Sequence, residues 1–152
     1  MSANGQSAGP ARPTVNAPRK GRSGEGQMKA AARDYSITFV MAANEDEAEK
    51  IAMALVEEKL AACVNIVGPV RSIYRWHGEI ENASESMLVI KTSRRHFSRI
   101  ERRVHELHSY EVPEVVAVAL AAGSEPYISW LAESTAPATP LAQQSRRRSA
   151  HR

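Results

Sequence analysis

The apolar residues of this chain change spacing along its length, and the order of those changes restricts the fold to few arrangements. Tyr35–Ala42 alternates, with Ile37, Phe39 and Met41 interleaved with Thr38 and Val40 in a run of β-formers. Helical spacing follows. Asn44 reads as an N-cap, Glu47 completes a capping-box pattern, and Asp46 adds a carboxylate at the positive end of the helix dipole. Ala48, Ile51, Ala52 and Leu55 make the buried stripe of a helix running to about Lys59. From Ala62 to Trp76 the period returns to two. Val64, Ile66, Val70, Tyr74 and Trp76 share one parity, and Asn65, Arg71 and Arg75 fall on the other. Pro69 cannot donate to a ladder and predicts a bulge or bend.

His77-Gly78 begins a turn, Asn82-Ala83-Ser84 makes a second polar break, and Ser86–Thr92 is a near-continuous apolar strand suited to the middle of a sheet. Ser93 is placed to cap a second helix, with Phe97, Ile100, Val104 and Leu107 inside and Arg95, Arg99, Arg102 and Arg103 outside. Pro113 stops that helix, Val115–Leu120 is a fourth strand, and Pro126 suits the first position of a short last helix carrying Tyr127, Trp130 and Leu131. The order β-α-β-β-α-β plus a terminal helix predicts an α+β protein, a ferredoxin-like sandwich with an antiparallel sheet and two helices on one face. Nothing is left to cover the other face, so self-association through the sheet face or edge is expected.

The isoelectric point of 9.2 hides a division of charge. Residues 1–33 carry a net +5 and residues 135–152 a net +4. Residues 34–134 hold ten Lys/Arg against sixteen Asp/Glu, a net −6. The expected domain is therefore 34–134, acidic and more compatible with cations than with phosphate. Residues 1–33 and 135–152 read as basic disordered tails, because they have no periodicity and too little apolar surface to offset their ordering entropy. The acid-poor N-terminus could serve as a transit peptide, but four prolines or glycines within Pro10–Gly21 oppose the amphipathic helix that role needs; initiation at Met28 is the other reading. One cysteine, Cys63, excludes an internal disulfide and suits a reducing compartment, and no apolar run is long enough to span a bilayer.

The densest group of reactive side chains is His108-Ser109-Tyr110-Glu111-Val112-Pro113-Glu114, between the second helix and the fourth strand. Imidazole and carboxylate suit borderline and hard divalent ions, so His108, Glu111 and Glu114 are candidate ligands. His105, one helical turn earlier, could add a nitrogen. Against this, no strict ligand spacing is present. The structural reading is a loop whose His and Glu cap the helix end and pair with nearby Arg, with Tyr110 and Val112 packing inward. Cys63 is either a soft copper ligand or reactive thiol, or a small buried hydrophobe at a helix–strand junction. Tyr74 and Trp76 suit an oligomer interface better than base stacking.

Several runs resemble the CutA divalent-cation-tolerance proteins. Glu58–Ile66 (EKLAACVNI) resembles the family's own run, Ser72–Glu81 (SIYRWHGEIE) is similar to its hairpin, and Ile90-Lys91-Thr92, His108–Glu114 and Tyr127–Leu131 follow in family order. The resemblance covers about Tyr35 to Ser134. It implies a ferredoxin-like protomer in a homotrimer, a mostly cytoplasmic protein without established catalysis, and a link to tolerance of copper and other divalent ions, with no obligatory cofactor. The candidate metal ligands in this sequence are His108, Glu114 and Cys63. The sequence departs from the family pattern where Ser109 replaces a proline. Val40 stands where copper-binding members carry a thiol, and Leu107 stands where they carry a first histidine.

Other classes fit less well. An RNA-recognition module shares the strand order but needs aromatics on its third strand, and Ser86–Thr92 has none, so no nucleic-acid partner is expected. No catalytic triad, phosphate loop or paired-carboxylate motif appears at diagnostic spacing, so no enzymatic activity is expected. The alternative function is a trimeric signalling or interaction scaffold that takes a small molecule or protein partner at its subunit grooves. Only about six residues, His77–Asn82, are available for an effector loop.

Overall fold

The computed structural model describes residues 30–137. The tail readings for 1–29 and 138–152 lie outside the described residues. Four strands, β1 (Tyr35–Ala42), β2 (Cys63–Trp76), β3 (Glu79–Ser93) and β4 (Val115–Ala119), alternate with α1 (Glu45–Glu57) and α2 (Phe97–Leu107), and α3 (Glu125–Thr135) closes the chain. The sheet order is β2-β3-β1-β4 and every pairing is antiparallel. That is a mixed α+β, ferredoxin-like arrangement, as the periodicity predicts.

The main core lies between the sheet and α1/α2. Val40, Ala42, Leu88 and Ile90 of the strands meet Ile51, Leu55, Ile100 and Val104 of the helices, all fully buried. The even positions of β1 therefore face the helices, and Ile37, Phe39 and Met41 lie on the opposite side of the sheet. A second cluster joins Tyr35 to Ile128 and Leu131 of α3, and Ala30 and Ala32 pack against it, so the folded part begins before Asp34. Thr38 is fully buried, and among the described residues its hydroxyl has no hydrogen-bond partner. Thr38→Val replaces that hydroxyl with a methyl of the same shape. The expected result is a stability gain of about 1 kcal/mol, read as a raised thermal midpoint, and a fall would show the hydroxyl to be paired.

β2 corrects the single-parity reading. Its register against β3 shifts between Val67 and Val70, at the bulge that Pro69 predicts. Before the bulge, Cys63, Asn65 and Val67 oppose Lys91, Val89 and Met87; after it, Val70 opposes Glu85. Side chains on β3 alternate, so one extra residue moves the even positions of β2 to the other face. Val64 packs on the helix core, whereas Val70, Tyr74 and Trp76 share the side that carries Glu85.

The polar break at Asn82-Ala83-Ser84 is also corrected. These residues are in β3, paired with Ile73, Ser72 and Arg71, and Arg71 Nε donates to Asn82 Oδ1 at 3.1 Å. The turn is only His77-Gly78, both at positive φ (47° and 81°), which suits a tight hairpin with right-handed twist. β1 reaches only as far as Ser86, so the β2–β3 ribbon runs on without a third strand beside it. Polar residues are tolerated there because both faces of the ribbon are wet. Ser93 makes no side-chain cap. It ends β3, and a 3-10 turn, Arg94–His96, leads into α2.

Candidate functional site

α1 begins as its sequence dictates. The Glu47 N–H donates to Asn44 Oδ1 at 2.9 Å, and Glu47 Oε1 accepts from the Ala43 N–H at 3.2 Å. The Glu47 carboxylate also reaches across the fold. Its Oε2 accepts from the Ser109 N–H at 3.2 Å, tying the start of α1 to the loop after α2. Next to it, His108 ends α2, its N–H donating to Val104 O at 2.8 Å. The His108 ring is wholly buried and both nitrogens are engaged. Nε2 donates to Met41 O at 2.7 Å, and Nδ1 accepts from the Tyr110 N–H at 3.0 Å. This is a neutral imidazole with the proton on Nε2. It fastens the end of β1 to the loop and holds the turn into Tyr110. Glu47 Oε1 lies 3.2 Å from Nδ1.

Burial pushes the Glu47 carboxyl upward. The bonds from Ser109 and Ala43 outweigh it and hold the group below its ordinary value of 4.5. A depressed carboxyl stabilises the fold above its unfolded value, and that contribution disappears as pH falls through the folded one. Glu47→Gln is expected to cost about 1–2 kcal/mol at pH 7, because its amide turns a donor toward the Ala43 or Ser109 N–H. The gap between urea midpoints of wild type and variant should narrow as pH drops below 4.5. A gap that stays constant down to acid would contradict the role given to the charge.

Beyond His108 the loop crosses toward the ribbon. The Tyr110 ring lies 4.8 Å from the His108 ring. Its phenol is pushed up to about 12 by burial and by a hydrogen bond to the Glu85 carboxylate, with the charge on Glu85 acting in the same direction. Glu85 is only 6% exposed. Between the ribbon and the loop is an open cavity of about 780 Å³, lined by Tyr74, Trp76, Glu85, Tyr110, Val112 and Glu114 among others.

The structure does not draw the expected ligands together. His108 has no ring lone pair left over, and Glu111 and Glu114 are exposed at the cavity rim. His105 is exposed on α2. Cys63 is half-buried at the start of β2, opposite Lys91. Lys91 and Met87, the β3 partner of Met41, are four residues apart on the strand, about 13 Å. Among the described residues no group of three or more His, Cys, Asp or Glu is placed to hold a metal ion. The reading of the loop as a helix cap is met only in part. His108 is the C-cap residue of α2, but its ring bonds Met41 O and the Tyr110 N–H, Glu111 and Glu114 are exposed, and Val112 is 63% exposed and does not pack inward. The neighbouring Ser109 N–H is held by Glu47, which the helix-start pattern assigns only to α1. In the sequence Glu85 reads as the polar edge of an apolar strand, and its burial comes from the loop packed against it.

This is a ferredoxin-like α+β domain with a bulged β2–β3 ribbon and a His-capped loop bridging α2 to β4. Residues 36–134 match the model of the CutA1 divalent ion tolerance protein family, and the chain belongs to that family. It is 46% identical over 99 residues to the divalent-cation tolerance protein CutA of Thermus thermophilus, covering 65% of this chain and 96% of that one. It is 40% identical over 99 residues to the chloroplastic protein CutA of Arabidopsis thaliana, covering 65% of this chain and 54% of that one. The match thus spans about half of the plant relative. The solved structure of the Thermus thermophilus divalent cation tolerance protein superposes with a TM-score of 0.66 at 45% identity, covering 67% of this chain and 99% of that one. CutA1 from a psychrotrophic Shewanella species gives 0.67 at 36% identity, covering 70% and 100%.

Proposed function

We propose that this chain acts as a non-enzymatic homotrimer in the tolerance of, or response to, divalent metal ions, in the cytoplasm. The observation that carries the trimer is the uncovered side of the sheet. Ile37 and Phe39 lie there beside Val116 and Val118, which remain 49% and 52% exposed in the single chain. Contiguous apolar surface of this kind is what oligomer interfaces cover. Family membership supports the role in ion tolerance. The unpaired thiol of Cys63 is compatible with a reducing compartment. Relatives are described variously as chloroplastic and periplasmic, so fractionation of the host cell is the test of location.

Copper, if it binds at His108, must displace either the Met41 carbonyl or the Tyr110 N–H, so the contact is weak. Native mass spectrometry is expected to show three protomers of 16.7 kDa. Titration with Cu(II) is expected to give a dissociation constant of roughly a millimolar or weaker. A monomer at micromolar concentration would overturn the trimer, and tight stoichiometric copper would overturn the account of His108. A second reading, a scaffold that takes a small molecule in a groove, is favoured by the cavity between the ribbon and the loop.

A further inference from the structure

We propose that the cavity between the β2–β3 ribbon and the 108–114 loop binds a small organic cation, an alkylated ammonium ion. The proposal rests on the groove reading and is independent of copper. Its first support is Glu85. This carboxylate is 6% exposed on the cavity wall, and among the described residues its partner is the Tyr110 phenol, a neutral donor. In the single protomer no Lys or Arg among the described residues lines the cavity. The three cations of β2 and β3 are engaged elsewhere, Arg71 with Asn82 Oδ1, Arg75 with Gly78 O and Lys91 with Val89 O. A buried carboxylate without a counter-charge is costly, and a cation entering the cavity would supply one.

The second support is the wall itself. Tyr74, Trp76 and Tyr110 all line the cavity, with Tyr74 40% and Trp76 39% exposed. The bulge at Gly68-Pro69 is what puts Tyr74 and Trp76 on the side of Glu85. Aromatic faces attract a cation through the ring quadrupole, and they favour one whose charge is spread over alkyl groups. Glu111 and Glu114 at the rim add negative potential along the path of entry.

The third support is what the cavity lacks for a bare metal ion. Its phenol holds its proton to about pH 12, the imidazole next to it has no lone pair to give, and no three ligating side chains converge among the described residues. A volume of about 780 Å³ is also far larger than a metal ion needs and falls in the range of small-molecule sites.

The test uses the full chain and calorimetric titration with two probes of equal shape, choline and its uncharged isostere 3,3-dimethylbutan-1-ol. Choline is expected to bind about ten-fold more tightly than the isostere. Glu85→Gln, which keeps an acceptor for Tyr110, should weaken choline about ten-fold and leave the isostere unchanged. Tyr74→Leu, at a position 40% exposed in the single chain, gives a second variant, and it should weaken choline while the circular dichroism holds. Equal affinity for the two probes overturns the proposal. So does absence of choline binding up to about 50 mM, well past the weakest useful affinity, or indifference to both substitutions. The native mass and copper titration of the same sample report separately on the ion-tolerance reading, so failure of one does not imply failure of the other.

Discussion

His108→Ala is expected to lower the unfolding free energy by about 3–4 kcal/mol, among the largest effects of a single change outside the main core. The reason is the number of groups that depend on one ring. The Met41 carbonyl loses its donor at 2.7 Å, the Tyr110 N–H loses its acceptor at 3.0 Å, and a fully buried side chain leaves a void. Each buried polar group left without a partner costs about 1–3 kcal/mol, and the cavity adds to it. His108→Gln should recover part of the loss, since its amide can serve Met41 O or the Tyr110 N–H but not both. Chemical denaturation of the three proteins, with and without chelator, makes the comparison. A loss below about 1 kcal/mol, or one that appears only when metal is present, would show that the ring is not a structural fastener.

The paired change Val116→Asp and Val118→Asp is expected to convert the proposed trimer to monomers at micromolar concentration while leaving the chain folded. Both side chains are about half exposed in the single chain, and they lie across from Phe39 and Ile37 on the face opposite α1 and α2. A carboxylate there costs the isolated protomer little, because water reaches it. In an assembly that covers this face, each would be buried without a counter-charge. Native mass spectrometry reads the species and far-ultraviolet circular dichroism the fold. A variant that stays trimeric would place the interface elsewhere, and one that unfolds would show that the face is needed within the protomer itself.

Much of the architecture was legible residue by residue. Asn44 and Glu47 announce the start of α1, and the structure shows the Glu47 N–H donating to Asn44 Oδ1 as that pattern requires. Pro69 announces a bulge, and the register shifts there. Ser93 misled, because a hydroxyl before a helical stripe looks like a cap whether or not a 3-10 turn comes between them. The polar run Asn82–Ser84 misled for a different reason. Polarity marks a break where one strand face must be dry, and the ribbon has no dry face at that point.

The HSYEVPE stretch divides along the same line. Its place between α2 and β4, and the end of the helix before Pro113, follow from local rules that any segment of this composition obeys. The partners of His108 do not, because Met41 O is 67 residues away in sequence and Glu47 is brought in by α1 packing on the same end of the sheet. The side of the sheet taken by Tyr74 and Trp76 turned on a one-residue offset that only pairing with β3 reveals. Local pattern sets what lies within a few residues: the periods, the Asn44 cap, the Pro69 bulge and the acidic balance of the middle. The tertiary structure decided which imidazole lone pair is spent and which carboxylate is buried. Both depend on groups distant in the chain meeting at distances near 3 Å, where a shift of one residue in register changes every partner.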